Sequence, residues 1–152
     1  MNEPDLIRNM LGDPGETGRT IAVVGLSDKP DRPSHYVSAY MQQHGYRIVP
    51  INPAVESVLG ERAYASLTAL PIRPDLVNVF RSARDIPAIV DEMIRLDLDA
   101  LWVQQGIVNG EAAERAEANG IRVVMDRCIM VEHRKANINR PPSPVPIQPT
   151  IE

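Results

Sequence analysis

The chain has 152 residues, the length of one domain of ordinary size. Its 16 Lys and Arg against 20 Asp and Glu give a net charge of −4, which argues against a whole-chain binder of nucleic acid or of a membrane surface. No apolar run approaches the ~18 residues that span a bilayer, and aromatics are only 4%, so the core must be aliphatic and base-stacking platforms are scarce.

Residues 1–19 read as an N-terminal segment, partly helical, with acids and no apolar secretory stretch. From residue 20 to 136 the pattern alternates. Short apolar runs bounded by Gly, Pro, Asp or Asn occur at 21–26 (IAVVGL), 46–52 (YRIVPIN), 75–80 (DLVNVF), 99–104 (DALWVQ) and 121–126 (IRVVMD), and predict buried strands. Helical periodicity lies between them. Val37, Tyr40 and Met41 share one face of 34–44, and Ile86, Ile89, Val90, Met93 and Ile94 share one face of 86–96. The Ala- and Glu-rich 111–119 predicts a third helix, with a shorter one at 63–70. Gly45 and Gly120 follow two of these helices, where a left-handed terminating residue belongs. Of the 14 prolines, Pro141, Pro142, Pro144, Pro146 and Pro149 crowd the end. Residues 137–152 therefore read as an extended or disordered tail, either without function or a docking segment.

Strands alternating with helices predict an α/β protein: a Rossmann-like, doubly wound five-stranded parallel sheet with helices on both faces. The expected strand order is 3-2-1-4-5, with a switch point between strands one and four. Ligands of such sheets bind at the carboxyl ends of the strands near that point. The tips concerned are 25–34, 52–53, 80–84, 104–109 and 126–128.

The first tip, VVGLSDKPDRPSHYV, is the most informative. Ser34 sits where a helix begins and reads as its N-cap, leaving amides that attract phosphate. Ser27 adds a hydroxyl, and Lys29 and Arg32 add positive charge. The plainer alternative is that Ser34 only caps and the two basic residues are solvated. Neither GxxxxGK[ST] nor GxGxxG is present, which argues against a P-loop hydrolase and weakens a dinucleotide site. The second tip, Ile51-Asn52-Pro53, lacks the acid that grips a free ribose diol, which favours a nucleotide with a phosphorylated ribose over NAD.

The loop GxSxxPxRxS (Gly25, Ser27, Pro30, Arg32, Ser34), together with VNVFR (77–81), DALWVQQGIVN (99–109) and VVMDRCIMVEHRK (123–135), resembles the small single-domain CoA-binding proteins. Their fold is similar to the CoA-binding domain of the succinyl-CoA synthetase alpha subunit. The resemblance covers about residues 20–135 and implies coenzyme A, or an acyl-CoA, as ligand. It implies pyrophosphate over Gly25–Ser34, with Ser27 and Ser34 donating and Lys29 and Arg32 nearby. Asn52 and Pro53 would line the ribose and adenine side, and Val79, Phe80 and Arg81 would end the strand where adenine sits. Phe80 is either a purine-packing ring or a core residue. Arg81 either meets the ligand or forms a surface salt bridge. Ile86 either closes the pocket or only opens its helix. Gln104, Gln105 and Gly106 would flank the pantetheine arm, while Asn109 reads as a helix N-cap.

The one cysteine, Cys128, cannot make an internal disulfide, which suits a reducing, cytoplasmic home. Its place beside Arg127 at a helix start is a setting in which thiols react, and a mixed disulfide with coenzyme A is one reading. A small buried residue is the other. His133 lies five residues on, a spacing that does not share a helix face, so a Cys–His pair is not expected. Neither a metal site nor a carboxylate pair is recognisable. The leading reading is a non-catalytic CoA carrier or sensor. The alternatives are a CoA-thiol redox or acyl-CoA-handling enzyme using Cys128, and an NAD(P)-binding module.

Overall fold

The computed structural model describes residues 1–12 and 19–138. The proline-rich stretch lies outside these residues from 139 onward. Five strands form where the apolar runs predict them, and a small antiparallel pair that they did not predict lies between the second and third: β1 (Thr20–Val24), β2 (Arg47–Ile51), the pair β3 (Ser57–Val58) and β4 (Glu61–Arg62), then β5 (Leu76–Val79), β6 (Ala100–Val103) and β7 (Arg122–Met125). The helices are α1 (Pro4–Leu11), α2 (Pro33–Gln43), α3 (Ile86–Arg95), α4 (Gly110–Ala118) and α5 (Ile129–Ile138). Gly45 and Gly120 do end α2 and α4 with φ of 95° and 81°. Asn109 caps α4 by accepting the Ala112 amide at 3.1 Å.

The fold class is as expected, an α/β protein with a five-stranded parallel sheet between helices. The strand order is not. It runs β2-β1-β5-β6-β7, so that the main-sheet strands counted along the chain read 2-1-3-4-5 instead of 3-2-1-4-5. The reason lies in the link from β2 to β5. Only Leu67–Ala69 of the helix expected at 63–70 is helical, as a 3-10 turn. Leu67 and Leu70 pack with α3 and α4 residues such as Ile89 and Ala113 on one face of the sheet. Val37 and Met41 of α2 occupy the other face with Ile129 of α5. A right-handed crossover made on the α3 face carries the chain in the direction of β6, past β1. The switch point therefore falls between β1 and β5, as in the other common doubly wound order.

The segment before residue 20 contributes to the packing. Ile7, Met10 and Leu11 of α1 are buried in the same cluster as Val37, Trp102 and Ile129. Asn2 clamps the end of β7, donating Nδ2 to the Met125 carbonyl at 2.8 Å and accepting the Met125 amide at 2.9 Å.

Ser38, on the inner face of α2, is 1% exposed, and its Oγ is the one buried side-chain polar atom without a partner among the described residues. Ser38→Ala removes an unpaired hydroxyl and installs the best helix former. We expect a stability gain of about 1 kcal/mol. A lower melting temperature in the variant would show that the hydroxyl is bonded after all.

Candidate functional site

The carboxyl end of β1 is held open by Gly25. Its amide donates to the Ile51 carbonyl at 2.9 Å, and the Phe80 amide donates to the Val24 carbonyl at 2.9 Å, so the tips of β2 and β5 flank it. Residues 26–32 arch over this point. Ser27 Oγ accepts the Lys29 amide at 3.0 Å, and the Ser27 amide donates to Ser34 Oγ at 2.9 Å. Asn52, at the tip of β2, donates Nδ2 to the Leu26 carbonyl at 3.0 Å and accepts the Ala54 amide at 2.9 Å. It fastens the loop to its neighbour, and Pro53 beside it is exposed.

Ser34 is not the N-cap. Arg32 holds that position with no side-chain cap, and α2 begins on Pro33. Proline at the first helical position is pre-set for the helix and has no amide to donate. This moves Ser34 into the first turn, 6% exposed. The His35 amide is taken by the Arg32 carbonyl at 2.9 Å. Of the first-turn amides only that of Ser34 is left without an acceptor among the described residues. The anion-attracting end of α2 is thus narrower than the sequence suggested, and more of the positive potential rests on Lys29 and Arg32. Both are exposed, and neither makes an ion pair among the described residues.

Beside this loop, on the β6 and β7 side, lies a groove of about 390 Å³ lined by Pro33, Tyr36, Val37, Phe80, Gln104, Gln105, Ile107 and Cys128. Its walls are fixed from behind. Gly106, with φ of 88°, donates its amide to Asp126 Oδ1 at 2.7 Å, and Asp126 itself has φ of 63°. Trp102 Nε1 donates to the Arg127 carbonyl at 2.9 Å, which fixes the chain just before Cys128. The Cys128 carbonyl accepts the Glu132 amide at 3.0 Å, so the thiol sits at the start of α5 as expected.

The other predicted residues divide. Phe80 is half-buried and lines the groove, serving both as wall and as part of the α2-side packing. Val79 and Ile86 are 0% exposed and belong to the opposite, α3-side core, so they support the site from behind the sheet. Arg81 lies 3.3 Å from Asp85 as a surface ion pair. The Ser82 hydroxyl, donating at 3.0 Å, and the Arg81 guanidinium together hold the Asp85 carboxyl below its ordinary value. Gln104 neighbours β5 and not β1, because of the corrected strand order.

His133 is buried and its Nδ1 lies 3.0 Å from the Tyr40 hydroxyl. His44 stacks on the Tyr40 ring at 4.0 Å, and its ring is 5.1 Å from that of His133. No sequence signal marks this cluster, since α2 and α5 meet only in the fold. Among the described residues no three His, Cys, Asp or Glu side chains are placed to hold a metal, and no helix is long and apolar enough to cross a membrane.

An open parallel sheet with a glycine-turned polar loop and a groove at its switch point has the Rossmann-like architecture that presents a ligand site at its strand ends. The family is more definite: residues 19–134 match the CoA binding domain, and the chain belongs to that family. It is 45% identical over 118 residues to the uncharacterized protein YneT of Bacillus subtilis, covering 78% of this chain and 87% of that one. The solved structure of cell-free ID.343 from Thermus thermophilus is similar, with a TM-score of 0.79 at 36% identity over 88% of this chain and 98% of that one. A more distant relative is the ADP-forming acetate–CoA ligase I of Archaeoglobus fulgidus, 24% identical over 121 residues, of which the chain covers 18%.

Proposed function

We propose that this protein binds coenzyme A or an acyl-CoA at the carboxyl ends of its parallel strands, in the cytoplasm, as a carrier or sensor that performs no chemistry alone. The observation that carries the reading is the adjacency of two unlike surfaces at the β1/β5 switch point. One is the loop with Gly25, Ser27, Lys29, Arg32 and Ser34, which suits phosphates. The other is the mainly apolar groove lined by Gln105 and Cys128 among others, with Gly106 next to Gln105 in the chain, which suits a long, thin arm. Asn52, Pro53, Phe80 and Arg81 then fall on the nucleoside side. Arg81 would leave Asp85 to meet the ligand.

Arg32 carries the sharpest test of the phosphate side. A charged hydrogen bond is worth roughly 1.5–3 kcal/mol, so Arg32→Ala should weaken CoA binding by about ten- to hundredfold in a calorimetric titration. Unchanged affinity would remove Arg32 from the site. Dephospho-CoA should bind wild type more weakly than CoA if the ribose phosphate is read.

A second reading is favoured by the place of Cys128 on the groove. Its thiolate would attack the disulfide of oxidised coenzyme A, forming a Cys128–CoA disulfide and releasing one CoA thiolate, which takes up a proton. Intact mass after treatment with CoA disulfide should then show one added CoA in wild type and none in Cys128→Ala. An unmodified wild type would eliminate this reading, and a thioesterase assay on the same pair tests the acyl-CoA-handling alternative.

A further inference from the structure

The stretch that follows α5 carries a motif that the coenzyme A reading leaves unused. Residues 141–149, PPSPVPIQP, contain PxxP twice, at 141–144 and at 146–149, and no charged side chain. They lie outside the described residues. Sequence of this kind favours the polyproline II helix, which has three residues per turn and no internal hydrogen bonds. The grooves that take such a helix are lined by aromatic rings.

The switch-point groove has that make-up. Tyr36, 48% exposed, and Phe80 line it together with Pro33, Ile107, Gln104 and Gln105. No Asp, Glu, Lys or Arg is among its lining residues, so an uncharged segment enters it without stranding a charge. Reach favours the chain's own tail as occupant. Cys128 lines the groove, and α5 starts at the next residue and ends at Ile138. At a rise of 1.5 Å per residue the helix carries the chain about 15 Å from Cys128. Residues 141–149 as a polyproline helix cover about 28 Å, so after a turn at 139–140 the second PxxP comes level with the groove. Tethering raises its local concentration to the order of millimolar, and a weak contact then suffices. We propose that residues 146–149 dock in the groove of their own chain as a polyproline segment, and that this autoinhibitory contact competes with the ligand. The docking stands apart from the coenzyme A reading, and the competition rests on it.

Cys128, the one cysteine and part-exposed on the groove, is the probe. Full-length protein carrying Ile147→Cys is oxidised with diamide at micromolar concentration. The two thiols should join within one chain, read as a loss of two hydrogens in the intact mass and as a tail peptide linked to Cys128 after digestion. Adding Pro146→Ser and Pro149→Ser keeps the thiol and the tether length but removes the motif, and should slow this crosslinking about tenfold. In the chain with isoleucine at 147, Pro146→Ser/Pro149→Ser should tighten CoA binding about tenfold, because the groove is no longer mostly occupied. Melting temperatures report that each protein is folded. Equal crosslinking rates with and without the two prolines overturn the proposal, since tethering alone then explains the link. Crosslinks formed only between two chains also overturn it and assign the groove to the tail of a second copy. Proline-dependent crosslinking with unchanged CoA affinity overturns the autoinhibition. Failure of both wild type and the double serine variant to bind CoA overturns the coenzyme A reading and the competition, while the crosslinking rates still decide the docking.

Discussion

Replacing Gly25 by alanine is expected to destabilise the protein by about 2–5 kcal/mol and to abolish ligand binding in whatever fraction remains folded. Gly25 has φ of +90°, where an L side chain is strained. The added Cβ would stand 2.7 Å from the Phe80 carbonyl oxygen and 3.0 Å from Arg81 Cδ. The first of these neighbours is backbone and cannot rotate away. Relief would require β1 and β5 to separate at their carboxyl ends, where the loop, Phe80 and the groove meet. Urea denaturation measures the stability loss. A Gly25→Ala protein as stable as wild type and equally able to bind CoA would show that the close approach of the two strands is dispensable.

Trp102→Ala is expected to cost about 3–5 kcal/mol. The indole is fully buried beneath α2 and α5 and is the largest residue of that core. Its removal leaves a cavity and also frees the Arg127 carbonyl, which Nε1 holds. A melting temperature lower by about 10 °C or more should follow. Trp102→Phe should recover part of that loss through packing but not the hydrogen bond. A melting temperature for Trp102→Ala within experimental error of wild type would contradict the packing described for this face.

Much of this architecture is legible in the sequence because each strand of the main sheet is a short apolar run stopped by a turn residue, and the long helices α2 and α3 each have one apolar face. The strand order is not, because the β2–β5 link contains little helix, and its direction depends on the face where Leu67 and Leu70 land. Ser34 illustrates a local conflict: its type suits a cap, but Pro33 starts the helix first. The loop chemistry of Ser27, Lys29 and Arg32 could be read from residue type. Val79 could have been placed by strand alternation, which puts Val77 and Val79 on the face opposite Asn78, and Ile86 by the apolar face of α3. The Asn78–Gln104 bond joins positions 26 apart in the chain and appears only when β5 and β6 pair. Its one sequence signal was an asparagine inside the otherwise apolar LVNV of β5. Groove residues such as Tyr36 and Ile107 carried no signal of their own.

Coenzyme A is the ligand proposed for the switch-point site. Thermal denaturation of the purified protein with CoA, dephospho-CoA, ATP, NAD and NADP tests it most directly, because a ligand that binds only the native state raises the melting temperature by mass action. The largest rise is expected with CoA, a smaller one with dephospho-CoA, and little or none with NAD. Stabilisation by NAD or NADP with no response to CoA would contradict it.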